Sequence, residues 1–292
     1  MRIAIFGKTF PDEQKVFLKR LLGVLSASGI EYTIYKPFYD FYKSDAIDLE
    51  SPATFSDAAE IRNNVDFLFS IGGDGTLLHT LSLVRDSGIP VLGFNTGRLG
   101  FLSSIGRDET EWAIDCLLKN KYSLESRSLL KLVSDEPLFH DIDFALNELT
   151  VSKVNPDSMI SISVSANGAF LNNYWADGLI VATPTGSTAY SLSCGGPIIT
   201  PDSKNIIITP ISIHNLTVRP LVLPDNAVIE ITVDARNQQY SVSLDSRMAT
   251  ASTDTKLIIR KEVFNINLVQ IDGKNFFTTL RDKLMWGQDK RN

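Results

Sequence analysis

Three patterns in the 292-residue sequence predict an α/β N-terminal domain with a parallel sheet, followed by a β-rich, β-sandwich-like C-terminal domain. Strand-like and helix-like runs alternate up to about residue 125, as a parallel sheet with crossover helices requires. From there to about residue 272 the apolar residues recur mostly with period two, the mark of half-buried strands. A last stripe of Phe276, Phe277, Leu280 and Leu284 has helical spacing. The expected division is 1–125, then 126–274, with a closing helix over 275–287 that is free to dock back on the first domain.

The elements follow in order. Residues 2–6 (RIAIF) read as a strand. Leu18, Leu21, Leu22 and Leu25 then mark a helix that Gly29 can stop. Further strands are expected at 31–35 (EYTIY), 65–71 (VDFLFSI) and 89–94 (IPVLGF), with a short helix from Thr76 to about Arg85. In the second domain MISISVSA, AVIEITVD, YSVSLDS, TKLIIRKEV and NINLVQI alternate, separated by Asn, Asp, Gly and Pro. A single helical stretch, Ser187 to Cys194, interrupts them.

Composition narrows the function. With 43% hydrophobic and 21% charged residues the chain has the balance of a soluble globular protein. A net charge of −6 argues against a general binder of nucleic acid or anionic membranes. It leaves small anionic ligands open, because backbone N–H nests hold phosphate on acidic proteins. Two distant cysteines, Cys116 and Cys194, predict no disulfide and a cytoplasmic location. The apolar start is too short for a signal peptide. The uncharged run 178–201 is too rich in Gly, Pro, Ser and Thr to span a membrane.

Two nucleotide motifs fail. Gly7-Lys8-Thr9 lacks the upstream glycine of a P-loop, because position 2 is Arg, and Gly73-x-Gly75 meets Leu78 where a dinucleotide fingerprint needs Gly. What remains is a strand, then Gly72-Gly73-Asp74-Gly75-Thr76, then a helix. Glycines allow close backbone approach, the helix start offers N–H groups to phosphate, and a carboxylate there can take a proton from an attacking hydroxyl. An ordinary turn with Asp74 or Thr76 as N-cap accounts for the same residues.

Asp177 to Pro197 (DGLIVATPTGSTAYSLSCGGP) runs from an apolar strand through a Pro/Gly turn into a hydroxyl-rich helix start. Its hydroxyls and N–H groups suit sugars and phosphates, and Tyr190 offers a ring and a hydroxyl; a capped loop explains it equally. Asn147-Glu148 lies in the strand-like ALNELTV. Asn matches an adenine edge or ribose and Glu accepts from a hydroxyl; taken alone, a solvated edge strand is the simpler reading. His79 lies one turn into the glycine-loop helix, where it can face phosphates, whereas His140 and His214 read as structural. No Cys/His set has zinc spacing, and no Ser/His/Asp triad is legible.

Taken together, these residues resemble the NAD kinase family: the GGDG loop at 72–75, Asn147-Glu148, the Asp177–Pro197 block and TVRPLVLP at 217–224 stand in family order. The resemblance implies an α/β and a β-rich domain with a ligand site in the cleft between them, and ATP-dependent phosphorylation of NAD at its adenosine 2′-hydroxyl. It implies Asp74 as base and Phe101 bordering the dinucleotide; Gly72, Gly73, Gly75, Thr76 and His79 stand beside them as the phosphate-facing candidates read from the loop and its helix. Asn147 and Glu148 would hold adenosine, and Thr188, Ala189, Tyr190, Ser191, Leu192 and Ser193 would line the adenine and ribose site. Asp177 would face the nicotinamide half, in some members across a homodimer or homotetramer. Mg²⁺ is expected through the ATP phosphates, with no metal-ligating residue assigned. The chain departs from the family at Ser158 and Trp175, both often basic, and at Leu244-Asp245-Ser246-Arg247, usually L-D-G-Q; Arg247 is kept among the nucleotide-binding candidates. Alternatives are a diacylglycerol kinase-like lipid kinase sharing the glycine loop, and a non-catalytic NAD(P)-sensing module.

Overall fold

The computed structural model describes residues 1–8, 13–43, 52–97, 100–155, 158–214 and 217–285. The first stretch runs β1 (Arg2–Gly7), α1 (Glu13–Ala27), β2 (Glu31–Tyr35), α2 (Lys36–Lys43), β3 (Ala53–Phe55), α3 (Ala58–Ile61), β4 (Phe67–Ile71), α4 (Asp74–Val84), β5 (Val91–Phe94), α5 (Thr110–Leu118) and β6 (Tyr122–Arg127). There follow β7 (Leu130–Ser134), β8 (Phe144–Ala145), β9 (Glu148–Lys153), β10 (Ile160–Ala166), β11 (Ala169–Ala176), β12 (Gly178–Ala182) and α6 (Tyr190–Ser193). Next come β13 (Asn205–Ile211), β14 (Leu221–Pro224), β15 (Ile229–Asp234), β16 (Gln239–Leu244), β17 (Arg247–Ser252) and β18 (Leu257–Lys261), and the chain closes with β19 (Ile266–Ile271) and α7 (Phe276–Leu284).

The chain forms two compact units, 1–126 with 266–292, and 127–265. The first holds a seven-stranded sheet ordered β3-β2-β1-β4-β5-β19-β6. The pairs β1–β2, β2–β3, β1–β4, β4–β5 and β5–β19 are parallel. Helices cover both faces of such a sheet, which is why all five residues of β4 are buried. The predicted stripe of α1 (Leu18, Leu21, Leu22, Leu25) packs in this core with Ile3, Ile5, Phe69 and Phe94. Strand order reverses between β1 and β4, since β2 and β3 lie on one side and β5 on the other. Open α/β sheets bind ligands at the carboxyl ends beside such a switch point.

The second unit is a sandwich of two six-stranded sheets, ordered β11-β10-β15-β18-β7-β8 and β14-β13-β12-β9-β16-β17. Leu149, Val151, Leu179, Val181, Tyr240 and Val242 from one sheet meet Leu130, Ile162, Val164, Ile231 and Ile259 from the other. The opposite face of β12 and β13 (Ile180, Ala182, Ile207, Ile211) is covered by Cys194 and Ile199. That second burial makes β12 continuously apolar rather than alternating.

Several expectations are corrected. NINLVQI, read as part of the second domain, is β19 of the first sheet, and β6 also lies there, across the expected boundary at 125. Period two identifies a strand but not its sheet, and Leu268 and Val269 are both buried because β19 is internal. Ser187–Cys194 is not one helix but a 3₁₀ turn, Thr185–Thr188, followed by the single turn α6. The closing helix ends at Leu284; positions 286 and 287 of its expected span lie outside the described residues. Helices α2, α3 and α5 and strands β3, β6, β7, β8, β11, β13, β14 and β17 were not foreseen; α2 hides because its buried stripe is only Phe38 and Tyr42. No helix among the described residues is long and apolar enough to cross a membrane.

Candidate active site

Asp74 opens α4, directly beyond the carboxyl end of β4. Neither Asp74 nor Thr76 caps the helix: the N-cap is Gly73, without a side-chain bond. The ordinary-turn reading therefore does not account for the carboxylate. Gly72 holds φ at 151°, and a Cβ there would meet Thr76 Oγ1 at 2.3 Å, so this turn requires glycine. The first N–H groups of α4 have no acceptor within the helix, as at any helix start.

The Asp74 carboxylate turns to the loop after β5. Its Oδ2 accepts from Phe101 N at 2.8 Å; its Oδ1 accepts from Leu102 N at 3.0 Å and Ser103 N at 2.9 Å. A Cβ on Gly100 would fall 1.8 Å from Oδ1, and one on Gly93 only 2.6 Å from Ser103 Cα. From the other side α7 packs on the same loop. The Phe276 and Phe101 rings lie 6.2 Å apart, Lys274 Nζ donates to Ser104 O at 2.8 Å, and Lys283 Nζ stands 3.8 Å from Asp74 Oδ2. His79 instead touches Lys8, at a cavity of about 360 Å³ lined also by Phe6, Tyr35, Phe38 and Leu83.

In the second unit Asn147 and Glu148 sit at the start of β9, an internal strand, and both are buried. The edge-strand reading is overturned. Asp245, at φ 52° in the two-residue loop between β16 and β17, carries the segment. Its carboxylate accepts from Leu146 N at 2.9 Å, Asn147 N at 2.8 Å and Glu148 N at 3.2 Å. On the opposite side Thr183 N donates to Asn147 O at 2.9 Å, and Thr183 Oγ1 donates to Leu146 O. A Cβ on Gly186 would lie 2.1 Å from Asn147 O, so the TPTG turn can press against this strand only with glycine there.

Burial pushes the Glu148 carboxyl up to about 8, helped by the Asp245 charge and opposed by a bond from the Tyr190 N–H. Its Oε2 is buried without a hydrogen-bond partner among the described residues. Burial likewise raises Asp245, against the pull of its three N–H donors and Arg247. Perturbed carboxyls of this kind cluster at functional sites, which makes this pair a candidate one.

The Asp177–Pro197 block divides into outward and inward groups. Tyr190 and Ser193 are exposed, and Thr188, Ala189 and Leu192 half-buried. Ser191 is turned inward, its hydroxyl 2.8 Å from Thr209 Oγ1, and Thr188 Oγ1 donates to Thr185 O, so those hydroxyls serve the fold. Asp177 is paired with Lys153 at 2.7 Å. Arg247 spends its guanidinium on the carbonyls of Ile142 and Phe144, stacked 6.0 Å over the Phe144 ring. It holds the strand leading to Asn147. Sequence reasoning did not single out Gly100, Thr183, Asp245 or Lys283, although Thr183 lies in the Asp177–Pro197 block and Asp245 in the LDSR segment that departs from the family pattern.

A parallel-sheet unit with a carboxylate in a glycine loop at its switch point, joined to a sandwich bearing a buried Asn-Glu pair, defines a two-unit protein of the nucleotide phosphotransferase class. The profile described as ATP-NAD kinase N-terminal domain matches residues 39–122, and that of the ATP-NAD kinase C-terminal domain matches 146–271. The chain is 45% identical to an NAD kinase of Cytophaga hutchinsonii and 43% identical to one of Bacteroides fragilis, over 100% of each chain. Among solved structures it is similar to an NAD kinase from Archaeoglobus fulgidus in complex with ATP, with TM-score 0.75, 25% identity and 98% and 99% coverage. It shares its fold with a yeast NADH kinase complexed with NADH, with TM-score 0.86, 24% identity and 99% and 88% coverage. The chain belongs to the NAD kinase family.

Proposed function

We propose that the chain transfers the γ-phosphoryl group of ATP to the 2′-hydroxyl of the adenosine ribose of NAD, giving NADP. The observation that carries this reading is the Asp74 carboxylate, fixed by three N–H groups at the carboxyl end of β4. A carboxylate offers about four lone-pair sites. Two N–H groups occupy Oδ1 and one occupies Oδ2, which leaves Oδ2 able to take the ribose proton. Positioning and charge neutralisation supply most of phosphoryl-transfer catalysis.

Asn147 and Glu148 serve the adenosine, with Tyr190 beside them, and Asp177 serves the nicotinamide half. The ATP-bound Archaeoglobus relative supports ATP as donor. The divalent ion is assigned to the metal–ATP substrate, and the residues named here bind, orient and move the proton. We infer further a cytoplasmic homo-oligomer, dimer or tetramer; Phe170 and Trp175, exposed on the edge strand β11, support the association.

The test is a coupled NADP assay on Asp74→Asn. NADP formation is expected to vanish while NAD binding by calorimetry persists. Turnover near that of the parent would sink the role of Asp74, and a parent that makes no NADP from ATP and NAD would sink the reaction itself.

A further inference from the structure

Lys283 lies on α7, remote in sequence from the glycine loop, yet its Nζ stands 3.8 Å from Asp74 Oδ2 and 4.9 Å from the Phe101 ring centroid. At 3.8 Å it attracts the carboxylate without hydrogen-bonding to it, and among the described residues its ammonium donates no hydrogen bond. Three donors are thus unspent beside the oxygen that retains an open lone pair.

The placement is built rather than incidental. Asn275 caps α7, accepting from Thr278 N at 2.9 Å. Lys274 anchors the preceding turn to Ser104 O and to Glu109 Oε2, at 2.8 and 2.6 Å. Phe276 packs on Phe101, whose own N–H holds Asp74. Lys274 and Phe276 therefore tie the helix to the loop that cradles the carboxylate.

We propose that Lys283 is a further catalytic residue, whose ammonium binds the equatorial oxygens of the phosphoryl group during transfer. This rests on the kinase reading above. In the step, the ribose 2′-oxygen forms a bond to the γ-phosphorus while the bond from that phosphorus to the β,γ-bridging oxygen breaks. The electron pair leaves with ADP, and the hydroxyl proton passes to Asp74 Oδ2. Lys283 stays protonated throughout and follows the charge as it spreads over the transferring oxygens. Such placed cations matter most at the transition state, so their loss appears in kcat.

The experiment measures NADP formation and thermal melting for the parent, Lys283→Met, Lys283→Arg and Lys283→Ala, the last also with added ethylammonium. Lys283→Met is expected to lose kcat by roughly 10²-fold or more, with KM for NAD within about threefold and an unchanged melting temperature. Arginine should restore part of the rate, and ethylammonium should raise the alanine variant at least about tenfold, a response that a purely structural lysine would not give. A Met variant within threefold of an active parent overturns the role of Lys283 alone, as does a deficit that follows the melting temperature and ignores the amine. An inactive parent overturns both this role and the kinase reading.

Discussion

Gly100 has no room for a side chain because the Asp74 carboxylate occupies it: a Cβ there would stand 1.8 Å from Oδ1. The glycine does not make a turn for its own sake. It lets the loop after β5 close onto the carboxylate, so that Phe101, Leu102 and Ser103 can all donate to it.

Gly100→Ala is therefore expected to act as a catalytic lesion. The methyl group must push the carboxylate off its three donors, and a displacement near 1 Å costs about 10²-fold in rate. NADP formation should fall by that factor while the circular dichroism spectrum and NAD binding stay close to the parent. A variant of full activity would show that the carboxylate works from another position.

Gly186→Ala meets backbone instead, 2.1 Å from Asn147 O. A carbonyl in a ladder cannot swing aside as a carboxylate can, so this change should destabilise by about 2–4 kcal/mol, as overpacking and strain do. Urea denaturation measures it. A loss of activity with unchanged stability would contradict the packing argument.

The sequence showed the fold where one signal had one cause. The leucine stripe of α1 and the alternation of β10, β15 and β16 read directly, because each buries one face. NINLVQI did not, since nothing local tells a strand which sheet will take it. At the site, the glycine loop and Asn147-Glu148 were visible as motifs, but their supports were not. Asp245 lies 98 residues from Asn147 and Lys283 more than two hundred from Asp74, and an isolated Asp or Lys carries no trace of a partner so distant. Hydroxyls misled in the other direction: Ser191 looks like a ligand group in TAYSLS, and only burial against Thr209 shows that it serves the fold.

Asp245→Ala removes the acceptor of three backbone N–H groups at once. Each such group left without a partner costs about 1–3 kcal/mol, reduced where water can enter. A loss of about 3 kcal/mol in urea denaturation is expected, with a raised KM for NAD because Asn147 and Glu148 lose their tether. An unchanged KM in a destabilised variant would separate the tether from the binding site.

Glu148 makes stability itself depend on pH, and its sign is fixed by its environment. Its folded value, about 8, lies above the ordinary 4.5 because burial and the Asp245 charge disfavour the carboxylate. Between these values the folded chain holds a proton that the unfolded chain has released. The stabilisation is therefore fully present below about pH 4.5 and is lost as pH rises to 8, by on the order of 4 kcal/mol. Asp245, also raised by burial, contributes in the same direction. Glu148→Gln keeps the shape but cannot ionise, so its unfolding free energy should decline less between pH 5 and pH 8.5 than that of the parent. Equal slopes in the two proteins would mean that Glu148 is already ionised at neutral pH. The Tyr190 N–H would then be bonding to a charged carboxylate rather than a neutral acid.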